Sequence, residues 1–529
     1  MSTMAADSVT ADSRSVWSRR TGALVGALSA IVALAVAELL ALVLPGKPSP
    51  IVGIANQVIN LTPASIRESL ISAVGTADKP ILSAGIVAVI LVLGAVIGLR
   101  FRDSARAAWP VYLILGLVVG LIAGAATARV WSSVIVGLVG GAAGWATLAL
   151  LLRVTVNAVR DESGNVRLQP EPALARRTFL IASAGVTGAA LAGIAVLSAV
   201  RSQSLQAVES ARDALRLPTP ARRAPAVPAG AGVDVPDMPP PVTPNDAFYR
   251  IDTALVPPTV NVAGWTLTVG GKVDQPFELS YPELMSMPQV EHYVTLACVS
   301  NPVGGDLVGN ALWQGVPLRA LLEKAGVADG AQQIVAESVD GFTAAFPITA
   351  ALDGRDAMVA VGMNGVPLPV NHGFPARLVV PGLYGYVSAT KWLREIRLTT
   401  FAEEVGFWIP RGWVADGTIE AASRIDVPTD GATVPVGDVT VAGRAWHQRV
   451  PVGAVEISVD AGPWQPAQLA SSMGVDTWRL WSWKWPAAVG GHELRVRMID
   501  ANGKVQSPAV RQPGPGASSG YQSIVVDVS

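Results

Sequence analysis

The first 200 residues hold five apolar stretches, each about as long as a bilayer's hydrocarbon core is thick, and nothing else in the sequence restricts the fold so strongly. They run over about 21–44, 80–99, 109–128, 133–152 and 178–200. A spanning segment must satisfy its backbone away from water, so each is predicted to be a transmembrane helix. The chain has 529 residues, of which 50% are hydrophobic and 15% charged. Its mean hydropathy is +0.42, and nearly all of the apolar excess lies before about residue 200. Beyond that point apolar runs shorten to strand length, and the remaining chain is long enough for two globular units.

Five spans put the two ends of the chain on opposite sides of a membrane, and positive charge in short loops decides which. Arg14, Arg19 and Arg20 precede the first span. Arg100, Arg102 and Arg106 fill the second connection, and Arg153, Arg160, Arg167, Arg176 and Arg177 the fourth. The first connection has only Lys47, Arg67 and Lys79 along its length, and the third only Arg129. The expectation is a multi-pass protein of a bacterial cytoplasmic membrane, with a cytoplasmic N-terminus and everything after about residue 200 outside. Arg176-Arg177 directly before an apolar Gly- and Ala-rich run resembles a twin-arginine export signal placed internally, and equally fits a positive-inside anchor.

Several chemistries are excluded early. A net charge of -1 without a dense basic cluster argues against nucleic acid as a partner. One cysteine cannot build a disulfide, a tetrathiolate zinc site or an iron-sulfur cluster from this chain alone. All four histidines, His292, His372, His447 and His492, lie beyond the spans, so an imidazole-ligated haem inside the membrane is not expected. No Cys-x-x-Cys-His haem-attachment motif occurs. Glu38, near the outer end of the first span, is expected to snorkel or to pair with a neighbouring helix. Gly137, Gly140, Gly141 and Gly144 suggest close helix packing.

Residues 201–242, rich in Ala, Pro and Arg, are predicted to be an extended tether. A segment of domain size, 243–420, follows, with a strand at Trp265-Thr-Leu-Thr-Val269 and a short amphipathic helix over 318–325. From 421 to 529 the pattern is that of a β-sandwich: Val455, Ile457 and Val459 alternate with polar neighbours, as do Leu494, Val496 and Met498. The tryptophans at 478, 481, 483 and 485 suit core packing better than a ligand box.

A thiolate is the soft ligand that a protein offers a transition metal, and Cys298 is the one candidate. It ends the alternating run Val294-Thr-Leu-Ala297 and opens a Gly-rich loop, Asn301-Pro-Val-Gly-Gly-Asp-Leu-Val-Gly-Asn310. Taken alone, a cysteine after a strand is more often a small buried hydrophobe. Its company is more specific. Thr243-Pro-Asn-Asp-Ala-Phe-Tyr249, Thr295-Leu-Ala-Cys-Val-Ser-Asn301, Trp313-Gln-Gly-Val-Pro-Leu318, His372-Gly-Phe-Pro-Ala-Arg-Leu-Val-Val-Pro381 and Lys391-Trp392 occur in one order. That series resembles the molybdopterin-dependent sulfite oxidase family over about residues 240–400, and the sandwich resembles that family's Ig-like dimerisation domain.

The resemblance implies a multi-domain chain: a helical transmembrane region, an α+β molybdopterin-binding domain and an all-β Ig-like sandwich. It implies one pyranopterin carrying molybdenum, with Cys298 as the protein ligand and Cys298 and Arg250 as catalytic residues. Asn245, Phe248 and Tyr249 would line the pterin, His372 and Arg377 would hold its pterin and phosphate groups, and Ala389, Thr390 and Lys391 would add backbone and lysine contacts. The implied reaction is two-electron oxygen-atom transfer on a small molecule, in either direction, with electrons exchanged with an external cytochrome or membrane partner and a homodimer formed through the sandwich. Two departures bear on the substrate. Pro302 and Val303 stand where sulfite oxidases have anion-pocket arginines, and Arg250 lies one position early in an ungapped match. A non-catalytic envelope binding protein with this fold and a transporter with an outer domain remain alternatives.

Overall fold

The computed structural model describes residues 18–44, 49–62, 78–127, 130–153, 157–160, 166–169, 172–254 and 256–529. Arg14, Lys47, Arg67 and Arg129, used above to orient the spans, lie outside these residues. The chain divides into two compact units, Met1–Gln203 and Ser204–Ser529.

The first unit contains helices α1 (Arg19–Val43), α2 (Pro50–Leu61), α3 (Asp78–Arg100), α4 (Trp109–Thr127) and α5 (Val130–Arg153), a hairpin of β1 (Asn157–Arg160) and β2 (Val166–Gln169), and most of α6 (Pro172–Ala214). Five helices among the described residues are long and apolar enough to cross a membrane, over Arg19–Val43, Lys79–Arg100, Ala105–Ala125, Val130–Arg153 and Leu180–Ala214. Small residues let them approach closely. A Cβ on Gly26 of α1 would lie 2.0 Å from the Gly94 carbonyl oxygen of α3, and one on Gly137 of α5 would lie 2.0 Å from that of Gly116 on α4. Glu38 is buried and fully engaged: its Oε1 accepts from Ser49 Oγ (2.7 Å) and Ile51 N (3.1 Å) at the start of α2, and Oε2 meets Arg201 of α6 at 3.3 Å. Of the two expectations for this carboxylate, pairing is the one observed.

The second unit begins with the segment expected to be a tether, and here the structure differs. Residues to Ala214 continue α6, and the proline-rich stretch after it lies along the following domain. Proline lacks a donor but keeps its carbonyl, so such a segment can serve buried donors. Pro218 O accepts from Gln314 Nε2 (2.8 Å), and Pro241 O accepts from Asn310 Nδ2 (2.9 Å) and Trp478 Nε1 (2.8 Å).

The next elements are β3 (Thr266–Gly271), β4 (Phe277–Ser280), α7 (Tyr281–Ser286), β5 (Val290–Ala297), β6 (Val308–Pro317), α8 (Leu318–Ala325), β7 (Gln333–Ser338), β8 (Thr343–Pro347), α9 (Thr349–Leu352), β9 (Met358–Met363), β10 (Val366–Pro367), β11 (Arg377–Val379), α10 (Gly385–Ser388) and β12 (Leu393–Thr399). One sheet has the order β10-β9-β6-β5, with β11 also on β9; the other has β4-β3-β12-β7-β8. All pairings are antiparallel except β12 with β3. A shared apolar core, including Leu267, Val316, Leu322, Ile334, Val359 and Ile396, joins the two sheets. The opposite face of the first sheet gathers Val294, Trp313, Met358 and Phe248.

The last portion is all strand: β13 (Ala422–Val427), β14 (Thr433–Val434), β15 (Gly437–Trp446), β16 (Val452–Val459), β17 (Gln465–Pro466), β18 (Gln468–Leu469), β19 (Arg479–Ala487), β20 (Gly490–Asp500) and β21 (Gln522–Val528). Sheets β13-β15-β19-β18 and β14-β21-β20-β16-β17 bury one core between them, in which Trp481 and Trp485 meet Ile457, Val496 and Val526. The tryptophans at 478, 481 and 485 are buried packing groups.

Candidate functional site

Strand β5 delivers Cys298. Its last four residues, Val294 to Ala297, are buried, and the strand is braced from the sandwich: Trp478 N donates to Thr295 Oγ1 (2.8 Å) and Thr295 N donates to Asp476 O (3.0 Å). After the strand, Cys298 N donates to Leu307 O at 2.9 Å, and Asn301 closes the loop by accepting from Leu307 N on Oδ1 at 2.8 Å. The Cys298 thiol stands half-buried at a cleft. Burial pushes its pKa up, against hydrogen bonds from Ser300. A thiolate there calls for a nearby cation to offset its charge, as a bound metal would.

On one side of Cys298 the structure assembles most of the residues singled out from sequence. Tyr249 feels both the Cys298 and the Arg377 charge, and its ring stacks on Phe248 with centroids 5.2 Å apart. Phe248 meets Trp313 and His372 edge-on, at 5.8 and 5.6 Å. His372 ends a 3₁₀ turn, Val370–His372, and shares a hydrogen bond of 3.0 Å with the Asn245 carbonyl through Nε2, the donor in the neutral ring. Desolvation, with help from Arg377 and Lys391, lowers its pKa to about 4, so the ring is neutral at physiological pH. The turn closes through Gly373 at φ 112°, where a Cβ would press on Arg377 Cβ (3.1 Å) and Lys391 Cβ (3.0 Å).

Arg377 is the most informative member. It is 5% exposed, lies over the Trp313 ring at 4.9 Å, and donates to the carbonyls of His372 (3.2 Å) and Leu378 (3.3 Å). Among the described residues no carboxylate lies within ion-pair distance of it, and desolvation brings its pKa down to about 10. A buried guanidinium left with carbonyl dipoles alone is costly, and an anion such as a phosphate would complete it. The donor set therefore fits a phosphate-bearing pterin.

Other predicted residues sit differently. Lys391 belongs to the cluster but is already paired: its Nζ reaches Asp252 Oδ2 at 2.9 Å and the Asn371 carbonyl at 3.2 Å. Its pKa falls to about 8 because desolvation outweighs the Asp252 charge. Arg250 meets the same aspartate at 3.1 Å and is not among the groups lining the Cys298 cleft, so the structure groups it with Lys391 and not with the thiol. Thr390 is turned into the core, its carbonyl accepting from Leu378 N (2.9 Å) and its hydroxyl donating to Ala336 O. Ala389 N donates to Gly385 O. The Asn245 amide is spent on Asn364 (2.8 Å) and Met363 (3.4 Å), which leaves it a scaffold for the Thr243–Tyr249 turn.

Sequence reading missed Asp252, which has no motif to mark it, and the far wall of the cleft. That wall brings Tyr384 together with Glu420 and Ser423 from around the start of the sandwich, more than 30 residues later in the chain.

Comparison with known proteins gives the following likenesses. Residues 254–408 match the family described as oxidoreductase molybdopterin binding domain. Human mitochondrial sulfite oxidase is 30% identical over 317 residues, which cover 51% of this chain and 58% of that protein. The chain thus spans little more than half the length of that relative. An uncharacterised oxidoreductase of Bacillus subtilis, YuiH, is 35% identical over 176 residues, covering 33% of this chain and 85% of YuiH. The crystal structure of the sulfane dehydrogenase SoxCD from Paracoccus pantotrophus matches with a TM-score of 0.49 at 22% identity, over 55% of this chain and 84% of that one. On its match to the molybdopterin-binding domain and its likeness to YuiH and the sulfite oxidases, the chain belongs to the sulfite oxidase family of molybdopterin-dependent oxidoreductases.

Proposed function

We propose that this protein is a membrane-anchored, extracytoplasmic molybdenum-cofactor enzyme that transfers an oxygen atom to or from a small substrate and exchanges electrons with an external carrier. The observation that carries the reading is the buried Arg377, which has no carboxylate partner among the described residues and lies close enough to Tyr249 for that ring to feel both its charge and that of Cys298. The helices long enough to cross a membrane, and the arginine-rich second and fourth connections, support the anchor and the outward position of the domain. The sandwich is the proposed Ig-like dimerisation module.

When bound, the cofactor supplies two-electron oxygen-atom chemistry. The chain's own residues do the rest. Cys298 ligates through its thiolate. Arg377 neutralises the phosphate end, with Lys391 held ready by Asp252. Neutral His372, anchored on the Asn245 carbonyl, presents Nδ1 as its remaining polar atom, and Phe248 and Tyr249 wall off water.

The test is metal analysis of the purified full chain. Wild type is expected to carry molybdenum near one per chain, Cys298→Ser to lose most of it, and Arg377→Met to lose it by about tenfold or more, the cost of one charge-assisted pair to a phosphate. Wild-type protein without molybdenum, from a host that makes the cofactor, would defeat the proposal.

A further inference from the structure

Cys298 divides two environments of opposite character. The Arg377 side is cationic; the open side is not. Among the described residues none that lines the cleft is Lys, Arg or His. The wall includes Pro302 and Val303 from the loop, Tyr384, the neutral amides and hydroxyls of Asn301 and Ser423, and one ionisable carboxyl, Glu420.

Three arginines come near, and each pairs with a carboxylate, Arg511 with the cleft's own Glu420. Arg424 follows Ser423 on β13 and is not among the residues that line the cleft. Its guanidinium donates to the Gly305 carbonyl and pairs with Asp426 at 2.8 Å. Arg444, its cross-strand neighbour, holds the same aspartate with two hydrogen bonds of 2.6 and 2.9 Å. Arg511 pairs with Glu420 itself, and because both side chains are half-exposed the pair is weak, leaving the carboxylate a partly neutralised, screened negative charge at the cleft.

The cleft does offer a donor. The Tyr384 hydroxyl accepts from Glu420 N at 3.2 Å, and its own proton has no acceptor among the described residues. Burial raises the phenol's pKa, so that proton stays in place, and the charge at Cys298 is near enough to be felt by it.

We infer that the open side of the Cys298 cleft selects an uncharged polar substrate over an oxyanion, with Glu420 as the repelling charge and the Tyr384 hydroxyl as the orienting donor. This rests on the reading that Cys298 faces the reacting centre. An oxyanion entering the cleft would lose water and gain no cation, whereas a neutral oxygen loses less and can accept from Tyr384.

Because the chain has one cysteine, alkylation of the cofactor-free full chain reports on this cleft alone. Iodoacetamide and iodoacetate form the same S–C bond and release the same iodide, and differ in charge. The ratio of their rates, divided by the ratio for 2-mercaptoethanol, cancels the thiolate fraction. It is expected to favour the neutral reagent by about threefold, corresponding to about 0.6 kcal/mol of repulsion from a half-exposed, paired carboxylate. Glu420→Gln should bring the ratio towards that of the free thiol, and Pro302→Arg should reverse it. A wild-type ratio equal to the free thiol's, a ratio indifferent to both substitutions, or a thiol that neither reagent reaches would each overturn the inference. Molybdenum content is read separately. Metal present with a flat ratio overturns the substrate class alone; metal absent overturns the enzyme reading, and the substrate class with it, whatever the ratio.

Discussion

His372 shows how a single residue couples the site to stability. Its pKa is about 4 in the fold and near 6.5 in an unfolded chain, so below about pH 6.5 the unfolded state takes up a proton that the folded state refuses. The depressed value means stability is intact above the unfolded pKa and is lost as pH falls towards the folded one. That loss amounts to about 3 kcal/mol across the window. Cofactor-free protein should therefore lose melting temperature more steeply between pH 7 and pH 4 than His372→Gln does, since glutamine has no proton to refuse. Equal slopes for the two proteins would show that the ring is not held neutral. The histidine's place in the cluster was legible from the His-Gly-x-Pro-x-Arg run. Its neutrality was not, because it depends on Arg377, Lys391 and Asn245 converging from three places in the chain.

Elements were legible where their pattern is local and hidden where it is not. Apolar length alone located the first four long helices to within a few residues but ended the fifth at about 200, fourteen residues short of Ala214, and the amphipathic run over 318–325 is α8 to the residue. The proline-rich segment was misjudged because its order comes from donors far along the chain, Gln314, Asn310 and Trp478, which composition does not reveal. Glycine in the spans is intermediate: its abundance announces close packing, but only the structure tells a contact glycine from an idle one. On α1, Gly26 faces Gly94 and Gly98 with no room for a Cβ, whereas a Cβ on Gly85 of α3 would meet nothing within 4 Å. Gly26→Val should cost about 1–3 kcal/mol of helix-bundle stability in detergent, the range for overpacking a tight interface, and Gly85→Val should cost almost nothing. Thermal unfolding followed by helical circular dichroism separates the two, and similar losses in both would refute the assigned α1–α3 contact.

At the scale of the second unit, the sequence suggested two domains in series, whereas the structure binds them into one object around the cysteine. Ala297, Val299, Val308 and Tyr384 from the first domain share a core with Trp446, Trp478 and Leu480 from the sandwich. In the same seam Thr295 donates from its backbone N to Asp476 O and accepts on its hydroxyl from Trp478 N, and His292 makes a 2.9 Å contact with the Asp476 carboxylate. The strand that presents Cys298 thus has its end supported by residues nearly 180 positions later. A seam of this kind should make melting cooperative, since neither half can open without exposing Trp478, which is 1% accessible. Calorimetry of the full chain in detergent is expected to give one transition for residues 204–529. Trp478→Ala should move that whole transition by about 3–5 kcal/mol, the usual cost of deleting a buried tryptophan, without splitting it. If the sandwich instead melted by itself, with the Cys298 domain unmoved by the substitution, the two would be neighbours and not supports, and the position of the sulfur would have to be explained from β5 and β6 alone.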